Sequence, residues 1–122
     1  MKVLMLNGSW NNDGSTKAGL QEMAKTFAAE GVETEIVDIG AQPIADCMAC
    51  NKCAELKRCV FANDAVNAFA EKAKSADGFV FGSPVYSAHP SGRVQCFLDR
   101  LFFSTMRADG YSPVSRGRQR YA

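Results

Sequence analysis

Apolar residues fall into two rhythms along this chain. Near-continuous runs occur at Lys2–Asn7 (Val3, Leu4, Met5, Leu6) and Gly78–Gly82 (Phe79, Val80, Phe81), the pattern of strands buried on both faces of a parallel sheet. A third run, Thr34 to Ile39, also reads as a strand. Between them the spacing changes to three and four, which puts apolar side chains on one helical face. Leu20, Met23, Ala24 and Phe27 predict a helix over about 15–30, and Val66, Phe69, Ala70 and Ala73 another over 64–74. Val94, Phe97, Leu98, Leu101 and Phe102 predict a last helix opening at Ser91 or Gly92. Ser15 or Thr16 suits the N-cap of the first helix, and Gly31 its stop. The stretch 40–62 has no period and is expected to be irregular, as is Ser83 to Tyr86.

This alternation of strand and helix predicts an α/β fold, a doubly wound parallel sheet between two helical layers. A five-stranded sheet of that kind needs two strands beyond these three. Residues 1–104 are therefore expected to be the N-terminal part of such a domain, lacking the last strands, and 105–122 an irregular tail. Arg107, Arg116, Arg118 and Arg120 punctuate that tail with neither helical nor strand period. One hypothesis is translation out of frame. Codons permitted for Tyr111 to Ala122, read from the third base of the first, spell Phe-Ala-Gly-Lys-Pro-Gly-Ala-Ala-Ala-Val-Cys, an apolar run of the missing kind. A short variant or simple truncation is the alternative. Gene sequence decides: downstream bases that encode no continuing half in the shifted frame sink the idea.

Composition narrows the chemistry. The 122 residues suffice for a single core. With a net charge of +1, nothing in bulk points to nucleic acid, a membrane surface or a polyanion. The apolar start halts at Asn7-Gly8, too soon for a signal peptide or a span. A cytoplasmic setting is expected, where clustered thiols mean redox chemistry or metal more often than disulfides.

The first strand runs into Gly8 to Thr16, a Gly/Ser/Asn loop, and then into a helix. Backbone N–H groups and the positive end of a helix dipole meet at such a junction, and short hydroxyl or amide side chains add donors. Ser9, Asn11, Ser15 and Thr16 are the expected donors. Neither the triphosphate spacing G-x-x-x-x-G-K-[ST] nor the dinucleotide spacing G-x-G-x-x-G is present, so a single phosphate monoester such as that of FMN is the ligand expected. The alternative is a plain helix-capping turn. Gly82 to Tyr86 leaves the carboxyl end of another strand, where ligands of doubly wound sheets sit. Pro84, Val85 and Tyr86 there would border a flat ring.

Four of the five cysteines lie in Cys47-x2-Cys50-x2-Cys53-x5-Cys59. Three thiolates on a tight turn with a fourth in reach is the arrangement that a [4Fe–4S] cluster uses. Zinc is a second reading, though structural zinc favours two separated pairs; reduced cysteines packed at a subunit interface are a third. Cys96 lies on the apolar side of the last helix and reads as core. His89, the single histidine, allows a proton-donor role but reads more simply as surface. Asp99-Arg100 reads as a charge feature within the helix or at an interface, outside catalysis.

Together, Asn7-Gly8-Ser9, Gly14-Ser15-Thr16, Cys47-x-x-Cys50-x-x-Cys53, Gly82-Ser83-Pro84-Val85-Tyr86 and Phe97-Leu98-Asp99-Arg100 resemble the NADPH-dependent FMN reductase family, with which iron–sulfur flavoproteins are grouped. The resemblance covers residues 1 to about 104 and implies a flavodoxin-like fold, FMN as cofactor and NAD(P)H as reductant. It also implies a homo-oligomer and a small-molecule electron acceptor such as a quinone, free flavin or nitro compound. Two positions depart from the family pattern. Trp10-Asn11 stands where many members have Pro and a basic residue, and His89-Pro90 occupies a loop usually small and polar.

Overall fold

A computed structural model of the protein describes residues 1–108. Its elements are β1 (Lys2–Asn7), α1 (Ser15–Ala29), β2 (Glu33–Asp38), α2 (Cys53–Leu56), α3 (Ala65–Ala73), β3 (Gly78–Gly82), β4 (Val85–Tyr86), β5 (His89–Pro90) and α4 (Gly92–Ala108). The main sheet is parallel with order β2-β1-β3. Helices cover both faces, giving the three-layer α/β architecture expected of a flavodoxin-like domain.

The central strand explains the core. Along β1 successive side chains point to opposite faces. Leu4 and Leu6 join Val66, Phe69, Phe97 and Leu101 in a cluster beneath α3 and α4. Val3 and Met5 join Leu20 of α1 on the other side. Phe69 packs edge-on against Phe97 at 5.3 Å between centroids, the geometry aromatic rings prefer. Strand β3 is different: among the described residues it pairs only with β1. Phe79 on it is 46% exposed and borders an apolar groove of about 300 Å3 with Phe81, Leu101 and Phe102.

Several local expectations are corrected. Gly14, not Ser15 or Thr16, is the N-cap of α1, and no side chain caps it. Within the stretch expected to be irregular, Cys53–Leu56 forms one helical turn. After Pro84 the chain makes an antiparallel hairpin, β4 against β5, because Ser87 and Ala88 both take positive φ and form the two-residue turn that matches strand twist. Helix α4 continues to Ala108, so residues 105–108, expected to be part of the irregular tail, are helical. The arginine-punctuated segment from 109 on lies outside the described residues. No helix among the described residues is long and apolar enough to cross a membrane.

Candidate functional site

Two sites emerge, one at the carboxyl end of the sheet and one under the cysteine loop. At the first, β1 and β3 end side by side and Gly8 N–H donates to the Gly82 carbonyl at 2.8 Å. Both glycines are required by this approach. A Cβ on Gly8 would drive into Val94 and stand 2.8 Å from the Gly82 oxygen, and one on Gly82 would stand 2.9 Å from Thr16 Cγ2 and 3.0 Å from Leu20 Cδ1. The mouth of α1 is thereby drawn against the exit of β3. Ser15 and Thr16 share a shallow groove of about 680 Å3 with Gly82 and Ser83. That groove continues along the flank of α1 as far as Thr26 and past Val80 and Phe81 of β3. At its upper end α1 has no side-chain cap and no acid in its first turn, so the positive end of the helix dipole is not offset there.

The loop between Gly8 and Gly14 is folded on itself. Asn7, fully buried, donates from Nδ2 to Asp38 at 2.8 Å and accepts from Ser9 N–H. Ser9 Oγ accepts from Asn11 N–H at 3.1 Å, and Asn11 Oδ1 from Asp13 N–H at 2.9 Å. Ser9 keeps its hydroxyl proton and Asn11 its amide protons for a ligand. Burial pushes the Asp38 carboxyl up, but its bonds from Lys17 and Asn7 outweigh that and hold it below the ordinary aspartate range. Arg93 ties the surrounding loops together. Its guanidinium stacks 4.5 Å over the Trp10 ring and donates to the carbonyls of Gly40 and Gln42, beyond β2. Pro84 is half-buried at the same end, while Val85 and Tyr86 are 71% and 60% exposed on the hairpin. Of the seven residues expected to bind FMN, Ser15 and Thr16 line the groove; Ser9, Asn11, Pro84, Val85 and Tyr86 lie outside its lining. An uncapped helix mouth, hydroxyls and a backbone approach that excludes Cβ fit a phosphate monoester.

At the second site Cys47, Cys50, Cys53 and Cys59 all border one small hollow of about 20 Å3, together with Phe61 and Arg100. The backbone accomplishes this by curling: Ala49 and Asn51, lying between cysteines, have φ of 55° and 60°. Non-glycine residues adopt that region only where their surroundings enforce it. All four thiols are free. Burial, and then the neighbouring Cys50, Cys47 and Cys59, push the Cys53 thiol up. Among the described residues no three Cys, His, Asp or Glu side chains converge tightly enough to hold a single metal ion. The donor set, four soft thiols with a cation at their side, fits a [4Fe–4S] cluster, whose ligands stand around a cube rather than around one atom.

What holds the cysteine loop was not legible from the sequence. Arg100, read as a charge feature within the helix or at an interface, is 1% exposed. It pairs with both carboxylate oxygens of Asp64, the residue that caps α3 through Val66 N–H. Its remaining N–H groups reach Ala45 O, Phe61 O and Cys59 Sγ, the last from Nε at 3.2 Å. Burial works against the Arg100 charge, but the bonds to Asp64 and Cys59 more than offset it and raise its pKa. Asn67 supports the same segment by accepting from Cys59 N–H and donating to the carbonyls of Cys59 and Phe61. Cys96 is partly buried against the core, as expected, and His89 lies exposed on the hairpin, bonded to the Pro90 carbonyl and Gln95.

Known proteins resemble this chain over most of its length. The family model described as NADPH-dependent FMN reductase matches residues 1–117. An iron–sulfur flavoprotein of Methanocaldococcus jannaschii is 35% identical over 100 residues, covering 82% of this chain and 51% of the relative. One from Archaeoglobus fulgidus is 33% identical over 87% of this chain and 51% of its own. Another, from Methanosarcina thermophila, is 27% identical over 82% and 52%. The chain thus spans about half the length of the curated relatives it matches.

Proposed function

This chain belongs to the NADPH-dependent FMN reductase family, and from that premise we propose that it carries the FMN-phosphate site of a flavoprotein oxidoreductase that takes electrons from NAD(P)H. The observation that carries the reading is the junction where Gly8 N–H meets the Gly82 carbonyl and brings the uncapped mouth of α1 to the exit of β3. Ser15 and Thr16 bind phosphate there through backbone N–H groups and hydroxyls, with Ser9 and Asn11 closing from the loop. Pro84, Val85 and Tyr86 border the ring on the hairpin side and shield it from water. Bound FMN supplies hydride chemistry with a reduced nicotinamide, and the protein needs only to place and screen it. The partners are a small-molecule electron acceptor and a second copy of this chain, in a cytoplasmic setting that keeps the thiols reduced.

A second reading is favoured by the cysteine loop. Four thiols facing one hollow, and relatives named iron–sulfur flavoproteins, support a [4Fe–4S] cluster on Cys47, Cys50, Cys53 and Cys59 and an electron-carrier role. Reconstitution without air, using FMN, iron and sulfide and followed by desalting, tests both. Retained flavin supports the first reading, and retained iron and sulfide with visible absorbance bleached by dithionite support the second. A colourless protein after desalting contradicts both.

A further inference from the structure

Arg100 has five N–H donors and the structure accounts for every one. Two from the Nη1 and Nη2 ends reach the Asp64 carboxylate; two more reach the carbonyls of Ala45 and Phe61. The fifth, on Nε, points at Cys59 Sγ at 3.2 Å. The guanidinium therefore touches the chain just before Cys47 and again at and after Cys59, closing the cysteine loop at its base. Among the described residues, Asp64 is the carboxylate that pairs with this fully buried side chain. The bond to sulfur is the unexplained part. A neutral thiol is a poor acceptor, and a buried Arg N–H directed at one gains little, whereas a sulfur carrying negative charge is a strong partner for it.

We propose that Arg100 is a positioning residue for the cysteine site, which holds Cys59 Sγ by an N–H···S bond and makes the reduction potential of a [4Fe–4S] cluster at that site less negative. The inference rests on the second reading above. One-electron reduction adds negative charge to a cluster, and part of it resides on the ligating sulfurs. A donor aimed at one of those sulfurs stabilises the reduced form more than the oxidised form, which raises the potential. Asp64 opposes this by balancing the guanidinium charge. Changing Asp64 should therefore raise the potential, as loss of any nearby negative charge does, whereas a change at Arg100 that conserves the charge should lower it only if the N–H···S bond matters.

The test is a dye-mediated titration with dithionite as electron source, monitored by electron paramagnetic resonance. It is run on the reconstituted wild-type chain, on Arg100→Lys, which keeps the charge but loses the Nε donor, and on Asp64→Asn, which keeps both the helix cap and the N–H···S bond. The expected result is a shift to more negative potential for Arg100→Lys and to less negative potential for Asp64→Asn. If both loaded variants titrate with the wild type, the proposal is overturned while the cluster reading stands. If wild type retains no iron, both fall. Should Arg100→Lys fail to fold by circular dichroism, electron-nuclear double resonance on the reduced wild-type cluster, with arginine labelled by 15N in its guanidino group, decides: a 15N coupling is expected, and none would overturn the proposal.

Discussion

At the mouth of α1 the backbone does the holding, and at the cysteine loop the side chains do. The first site is set by a main-chain bond between Gly8 and Gly82 and by helix N–H groups with no side-chain cap. Its N–H groups are held in place by the sheet and by the helix that carries them. The second site depends on Arg100, Asp64 and Asn67 reaching across from α4 and α3 to a loop twisted through left-handed Ala49 and Asn51. The fold at a backbone site tolerates change in its hydroxyls but not the addition of a Cβ. A side-chain site is the reverse, with a single long residue as its keystone.

Substitutions can break that contrast. The largest effect is expected from Arg100→Ala, which leaves Asp64 buried without its counter-charge; loss of one partner of a buried pair costs about 3–5 kcal/mol, read as a lower urea midpoint. Next comes Gly8→Ala. The added Cβ overlaps Val94 and crowds the Gly82 carbonyl, so a loss of about 1–3 kcal/mol from overpacking is expected, together with weakened FMN binding in a fluorescence titration. An unchanged midpoint and affinity would show that the approach of β1 to β3 is not tight. Thr16→Ala should leave the fold intact and weaken FMN by roughly tenfold, the worth of one hydrogen bond to a charged group.

The smallest expected effect is on pH dependence. Because the Asp38 carboxyl is held below its ordinary range, its bonds to Lys17 and Asn7 contribute stability above the unfolded value of roughly 3.9. That contribution is lost as pH falls through the folded value. Asp38→Asn should therefore be less stable than wild type near neutrality, by at most about 1 kcal/mol for a partly exposed pair, and the two should converge in acid. Equal stability at all pH values would remove Asp38 from the support of the phosphate loop.

The same contrast explains what the sequence reveals. Buried runs and 3.6-residue spacing report on elements whose neighbours are close in the chain or repeat regularly, so β1, α1, α3, β3 and α4 are legible with their core faces. The Gly/Ser loop is legible too, because its chemistry is local to the strand-to-helix junction. Ser87 and Ala88 are not, since neither residue advertises a positive φ and the β4–β5 hairpin depends on both. Arg100 is illegible for another reason. Its partners lie 36 to 55 residues away, and an Arg following Asp in a helix looks like surface. The available signal was its place one turn past Phe97 and Cys96, on the apolar side of α4. The N-cap was misread because Gly14, Ser15 and Thr16 are consecutive and all three residue types are favoured at that position, so composition alone does not choose among them.

Comparing FMN with riboflavin on the wild-type chain tests the phosphate site most directly, since the two differ only in the phosphate group. With flavin fluorescence as readout, FMN should bind at least about tenfold more tightly than riboflavin, and inorganic phosphate should compete with it. Equal affinities, or no competition by phosphate, would contradict a phosphate cradle at the mouth of α1.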